Sequence, residues 1–506
     1  MLKTPLKALA LSVVFAFSGY SVAANSSYNT DVPKSIMTPD HVETSIGSLE
    51  FKDGVPTDET SQKIYDNLDT IRATEVFLNA IPMASLEAIR LGHEQMGITQ
   101  SNQVMIFDKL MNSNPLFLTG NTDTVYASAF LDLERDGPTV IEVPPGMGPT
   151  TVNDAFFRFV TDLGVVGPDK GKGGKYLVLP PNYQGEIPEG YFVSRSTSYV
   201  NWFIARGFLK DGKPDAAINA YKAKLKIYPL AKKANPPKME FTSGSEKPFN
   251  TIHANDEHFY DEIKTVLDKE PISFIDPELR GLMSSIGLQK NKPFQPDERM
   301  KKLLADGVAI GNATARSLYF QPRDKSAYKY DDRQWKTAFI GGDYQWLIDG
   351  GEGGRNLDAR TYFFYVATVN TPAMALKLID KGSQYALADT SIDGEFLDGS
   401  KTYKLNIPAN VPAKNFWSVV AYDPQTRSEL QTGQPFPSKN NKRDDFIENA
   451  DGSVTLYFGP TSPKGKESNW IQTVPGKGWF SILRLYGPQE AWYDESWKPG
   501  DIELVN

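Results

Sequence analysis

Asn121-Thr122-Asp123-Thr124-Val125-Tyr126-Ala127-Ser128-Ala129-Phe130-Leu131-Asp132-Leu133 sets the fold class of the chain. From Val125 onward this stretch is rich in strand formers. Asp136-Gly137-Pro138 then makes a turn, and Thr139-Val140-Ile141-Glu142-Val143 returns as a second strand. Phe156 to Thr161, Tyr176 to Leu179 and Tyr191 to Ser194 have the same character. Strands at this spacing predict a sandwich rather than alternating βαβ units.

Reading outward, the texture turns helical at Pro214. Helices are expected over Pro214 to Tyr228, Asn255 to Lys269, Pro277 to Leu288 and Pro296 to Tyr319. The last offers Met300, Leu303, Leu304, Val308 and Ala315 for a buried stripe. Beyond about Ala359 strands return, at Tyr362 to Thr368, Lys401 to Ile407, Phe416 to Tyr422, Ser453 to Phe458 and Phe480 to Leu485. Their Gly, Pro, Asn and Asp boundaries predict a jelly roll or related sandwich. Upstream, Thr57-Asp58-Glu59-Thr60 starts a helix, continued by Ile64, Leu68 and Ile71, that Pro82 should kink or divide. The expected chain is mainly β with helical insertions. It divides into a signal peptide (1–23), an extended arm (24–56), a helix plus N-terminal β-sandwich (57–210), a central helical block (211–350) and a C-terminal jelly-roll-like β-sandwich (351–506).

Composition narrows the function classes. The 506 residues carry 54 Lys+Arg and 62 Asp+Glu, a formal net charge of −8, which argues against a general nucleic-acid binder. With 40% hydrophobic and 23% charged residues the chain is globular, and its length suits two or three domains. Absence of cysteine excludes disulfides, thiolate zinc, iron–sulfur clusters and a thiol nucleophile; only four His argue against a His-rich metal site. Lys3 and Lys7 precede the apolar run Ala8 to Phe17, and Ser21-Val22-Ala23-Ala24 offers small residues for cleavage. This pattern predicts a secretory signal peptide, since a membrane span needs about 20 apolar residues. The expected location is periplasmic or secreted, with no stable membrane insertion after cleavage.

Several motifs carry candidate chemistry. Asn121, Asp123 and Tyr126 form the densest polar cluster, read either as a calcium or acid/base site or as an Asx turn that starts the strand. Arg158 and Asp162, four apart in an expected strand, share one face and line a pocket or form an ion pair. His253 and His258 are the only close His pair; their spacing of five does not place both on one helical face. Gly171-Lys172-Gly173-Gly174-Lys175 precedes a strand, which makes it a hairpin loop rather than a phosphate loop. Aromatics gather late, at Trp417, Tyr422, Trp470, Trp479, Tyr486, Trp492, Tyr493 and Trp497, as a sugar-stacking surface or as core. Neither His-Glu-x-x-His nor Gly-x-Ser-x-Gly occurs.

The stretch from Asn121 to Leu133, with Gly137-Pro138 and Glu142-Val143-Pro144, resembles the N-terminal signature of domain-of-unknown-function family 1254, as do Ile204-Ala205-Arg206-Gly207 and Tyr228-Pro229-Leu230. Asp393-Gly394, Leu397-Asp398-Gly399, Phe416-Trp417-Ser418, Ala421-Tyr422-Asp423, Ser468-Asn469-Trp470, Arg484-Leu485-Tyr486-Gly487-Pro488 and Trp497-Lys498-Pro499 resemble the companion family 1214. The resemblance implies a two-part protein with an N-terminal sandwich and a C-terminal jelly roll. It implies no catalytic residues.

Two functions follow as expectations. The first is an exported protein that binds a glycan or small polar ligand, with Asn121, Tyr126, Trp417, Tyr422, Asn469, Trp470 and Arg484 as ligand-binding candidates. The second is an exported hydrolase, metal-assisted or not, with Asp123, Arg158 and Asp162 as catalytic candidates near the interface of the β domains. A divalent metal is the one candidate cofactor, with His253 and His258 as candidate ligands. The expected partner is a small molecule or glycan, not nucleic acid. Whether the protein is an enzyme, and its oligomeric state, stay open.

Overall fold

The computed structural model describes residues 30–505. The expected signal peptide lies outside them. The chain forms two compact units, and the division falls after Asn67, within the helix Asp58–Gln95. The first unit contains an antiparallel sheet of strands His41–Thr44, Gly47–Lys52 and Val55–Pro56. The segment expected as an extended arm therefore holds a hairpin sheet. Asp53 and Gly54, at φ 48° and 81°, make its second turn, and Asp-Gly is a strong turn signal.

The second unit is mainly β with helical parts. Its N-terminal sandwich packs a six-stranded sheet against a four-stranded one. The six-stranded sheet has Val125–Asp132 and Val200–Gly207 as antiparallel central neighbours. The four-stranded sheet includes Thr139–Val143 and Lys226–Pro229. Val125, Ala127, Ala129, Leu131, Phe203 and Ala205 point into the sandwich. The expected helix Pro214 to Tyr228 ends early: Asp215–Lys224 is helical, and Lys226–Pro229 is a strand because it completes a sheet edge beside Thr139–Val143. Tertiary pairing overrides local propensity there.

The C-terminal sandwich pairs a five-stranded sheet, with Phe480–Pro488 between Ser383–Ala388 and Ala413–Tyr422, with a four-stranded sheet. Trp417, Val419, Ala421, Leu483 and Leu485 fill its interior.

A third core lies between the sandwiches. The larger sheet of each turns its other face toward the helices. Tyr126, Trp202 and Ile204 from one sheet, and Tyr385, Val420, Tyr422, Phe480 and Ile482 from the other, join one cluster with helix side chains. The helix Leu357–Val366 runs through this core. Its C-terminal half was expected as a strand, from Tyr362 to Thr368. Asn356 caps the helix by accepting from the Ala359 N–H, and all residues from Thr361 to Val366 are buried. A helix buried all round shows no amphipathic period, so its aromatic run reads as strand. The helix Asp58–Gln95 continues through Pro82 as one element rather than dividing. Glu298–Phe320 approaches it closely: a Cβ on Gly307 would lie 2.4 Å from the Ala73 Cβ, and one on Gly311 2.5 Å from the Phe77 ring. Only glycine permits that contact.

Candidate functional site

Period-two geometry places two arginines in the third core. Along Val200–Gly207, Trp202, Ile204 and Arg206 alternate with Phe203 and Ala205. Along Phe480–Pro488, Ile482, Arg484 and Tyr486 alternate with Leu483 and Leu485. Register sets their neighbours: Arg206 stands opposite Tyr126, and Arg484 lies between Tyr385 and Ser418.

These residues surround a cavity of about 50 Å³. Arg206, Arg484, Tyr126 and Tyr385 supply its polar wall, and Trp202, Phe363, Val366 and Ile482 are part of an apolar remainder. Trp202 is fixed by its indole N–H, which donates to Ser128 Oγ at 2.8 Å; His93 Nε2 meets the same oxygen at 2.8 Å.

Both arginines are deeply buried, 6% and 5% exposed. Neither forms an ion pair with a carboxylate among the described residues. Arg206 Nη1 donates to the Tyr385 hydroxyl at 3.3 Å, and Nη2 reaches the Met374 sulfur at 3.6 Å. Arg484 Nη2 donates to the Thr119 carbonyl at 2.5 Å and the Tyr422 hydroxyl at 2.6 Å, while its Nε is buried without a partner. A guanidinium carries five N–H donors and stays charged in proteins. Arg206, weakly bonded, and Arg484, with one donor left over, put two positive charges beside an apolar cavity and favour an anion.

Titratable neighbours show the same field. Burial opposes ionisation of Tyr385, yet Arg206, Arg484 and the Ser383 hydroxyl hold its phenol below the ordinary tyrosine value. Burial pushes Tyr126 up to about 12. Burial raises Asp162 to about 6, against the donating Thr371 hydroxyl and the charge of Arg206. Burial and then the nearby Asp123 carboxylate raise Glu429 to about 8, and both of its carboxyl oxygens lack hydrogen-bond partners.

The sequence candidates separate into groups. Asn121, Tyr126, Tyr422 and Arg484 come together. Asn121 Nδ2 donates to the hydroxyls of Tyr126 at 2.5 Å and Tyr486 at 3.0 Å. Its Oδ1 accepts from the N–H groups of Asp123 and Thr124 at 2.9 and 3.1 Å, an Asx turn. Asp123 lies behind this turn and accepts from Ser418, from Asn440 at 3.1 Å and from Thr122 at 3.1 Å. Asp162 adjoins Arg206 in a smaller neighbouring cavity.

The other candidates lie elsewhere. Arg158 lies outside the strand Phe159–Leu163 that carries Asp162: the chain reverses at Asp154 to Arg158, with Phe157 at φ 54°, and the partner of Arg158 is Asp154 at 2.6 Å. Trp417 points into the C-terminal sandwich and stacks on Phe446. Asn469 ties down the Ile447 backbone with bonds of 2.9 and 2.8 Å, and Trp470 donates to the Gly459 carbonyl at 2.9 Å. His253 is buried and held neutral, its pKa lowered by burial to about 3, while His258 is exposed beside Asp256. Among the described residues no three His, Asp or Glu side chains converge as metal ligands. The donor-rich wall of the cavity also suits an anion rather than a cation. Sequence reading missed Arg206 and Tyr385 as site residues. A charge in phase with Trp202 and Ile204 was the available signal.

Residues 101–229 match the family model described as a protein of unknown function, DUF1254, and residues 382–490 match that of DUF1214, described in the same words. No curated protein matches the chain. The crystal structure of the VPA0106 protein from Vibrio parahaemolyticus aligns with a TM-score of 0.52 at 18% identity, over 87% of this chain and 100% of that one, a likeness of fold. An uncharacterised protein from Burkholderia cenocepacia aligns with a TM-score of 0.39 at 13% identity, over 88% and 96%. Arg206 falls in the first matched segment, and Tyr385 and Arg484 in the second, so each segment supplies one guanidinium to the cavity. The chain thus carries, in this order, a segment that matches the DUF1254 model and a segment that matches the DUF1214 model.

Proposed function

We propose that this is an exported binding protein for a small organic anion, a short carboxylate, held between Arg206 and Arg484. The observation that carries this reading is the pair of buried guanidiniums, in no ion pair with a carboxylate among the described residues, at the wall of a cavity. Guanidinium donors match a carboxylate in both charge and fork geometry. A cavity of about 50 Å³ holds only a few non-hydrogen atoms. The apolar wall would take the ligand's hydrocarbon part. A neutral glycan fits this charge and size poorly.

Thermal unfolding with acetate, pyruvate, succinate and glucose tests the reading. A ligand at about 100 times its Kd adds about 2.7 kcal/mol of stability. One of the acids should raise Tm in the wild type and leave Tm unchanged in Arg206→Met. A shift with glucose and none with any acid would overturn the reading.

A second reading, catalysis, is favoured by one observation. Tyr385 bridges Arg206 and Ser383 with an acidified phenol, which suits a proton acceptor beside a bound anion. Turnover of a bound acid, abolished by Tyr385→Phe with binding retained, would promote it.

A further inference from the structure

The helix Leu357–Val366 has a second cleft on another side, away from the two-arginine cavity. Its volume is about 390 Å³, and Arg158, Arg355 and Arg360 all line it. Carboxylates are near but engaged. Asp154 pairs with Arg158, and Asp276 caps the helix Pro277–Ser285 by accepting from the Leu279 N–H at 2.8 Å. Among the described residues the Arg355 side chain donates to the Gln345 carbonyl alone and that of Arg360 to the Asn79 side chain alone, at 2.7 Å, with the Arg360 Nε buried and without a partner. In a chain of net charge −8, three guanidiniums around one cleft repel one another. Burial and then neighbouring Arg355 lower Arg360 to about 10, against the pull of the Asp276 and Glu75 carboxylates; burial lowers Arg355, where Asp343 likewise opposes Arg158.

The same walls are aromatic. Phe156, Phe159 and Tyr344 border the cleft, and Trp346 has a buried indole N–H without an acceptor. Arg158 already lies over the ring of Phe156, a wall residue, at 5.6 Å, so a guanidinium and a ring face meet there.

We propose that this cleft is a second binding site, for a phosphorylated ligand that carries a flat ring. The phosphate group would sit against Arg355 and Arg360, and the ring would lie among the aromatic side chains. A dianion answers two cations that form no ion pair among the described residues, where a monocarboxylate answers one. The larger volume admits a ring that the two-arginine cavity cannot take.

Calorimetric titration of the full chain with phenyl phosphate, phenol and inorganic phosphate tests this. Phenyl phosphate should bind at one site, more tightly than either part alone. Arg355→Gln should weaken it about tenfold or more, the loss expected for a charge-assisted contact. Arg206→Met should leave it unchanged. Arg355 is exposed, so that variant should fold even if Arg360→Gln does not. Absence of phenyl phosphate binding would overturn the proposal. So would binding that survives Arg355→Gln and disappears in Arg206→Met, which would assign the anion to the other cavity and leave the carboxylate reading standing.

Discussion

The loop Thr119 to Thr124 and the cavity beside it both join the N-terminal to the C-terminal sandwich with buried polar groups, yet their hydrogen bonding differs. In the loop each polar side chain is matched. Asn121 serves two hydroxyls and two backbone N–H groups; Asp123 receives Ser418, Asn440 and Thr122; Thr122 also meets Ser438 at 2.6 Å. At the cavity Arg484 keeps a donor without acceptor and Arg206 has a hydroxyl at 3.3 Å and a sulfur at 3.6 Å; Glu429, outside the cavity wall and near Asp123, keeps two oxygens without donors. Satisfied buried networks fix a structure, whereas unsatisfied ones need an explanation such as a ligand. The matched bonds of the loop fasten the two matched segments together, and the unmatched groups at the cavity are what the binding proposal rests on.

The contrast breaks hardest at Asp123. Asp123→Ala strands three buried donors and should cost about 3 kcal/mol or more in urea unfolding, with anion affinity of the folded protein retained. Normal stability with lost affinity would reverse the assignment of the two regions.

Glu429 offers the next largest effect. Its folded pKa, about 8, exceeds the ordinary 4.5, so the folded state holds the proton more tightly than the unfolded one. Its contribution is present in full below pH 4.5 and is lost as pH rises toward 8. Glu429→Gln should remove this decline and leave the protein more stable than wild type at pH 8, by about 4 kcal/mol at most. Parallel stability–pH curves for the two proteins would show that Glu429 ionises freely.

Ser438→Ala sharpens the comparison on the fastened side. It removes a partner of both Thr122 and Arg443 and should cost about 1–2 kcal/mol by the same unfolding measurement. The smallest change in stability belongs to Arg206→Met. Replacing a poorly satisfied buried charge by an apolar side chain of similar length should leave the ligand-free protein as stable or raise its stability by about 1 kcal/mol. A marked fall in Tm would make Arg206 part of the fastening.

Much of this architecture was legible in the sequence. Thr139–Val143 and the strands beginning at Val125 and Phe480 carry β-branched and aromatic runs between turn residues, and they form where expected. The order of the two family segments was also legible. Regions decided by long-range pairing were not. Lys226–Pro229 extends because a sheet edge waits for it, and Tyr362 to Val366 is helical although its aromatic run suits a strand. The site was half legible. Arg484, Tyr126 and Tyr422 stood among the candidates, whereas Trp417 shares the parity of Val419 and Ala421 and so faces the sandwich interior. Arg206 and Tyr385 are 179 residues apart, and no local pattern states that they meet.

The core shared by the two large sheets has a consequence for dissecting the gene. A fragment ending at Pro229 would lose the edge strand Glu240–Ser243 and lay Tyr126, Trp202 and Ile204 bare to water, with the buried charge of Arg206 beside them. A fragment starting at Gly382 would lose Tyr330 and Trp335 from its sandwich core and lay Tyr422, Phe480 and Ile482 bare. Each half, expressed alone, is expected to be sticky and insoluble. The two expressed together, with the intervening helices on either one, should reassemble into a single particle.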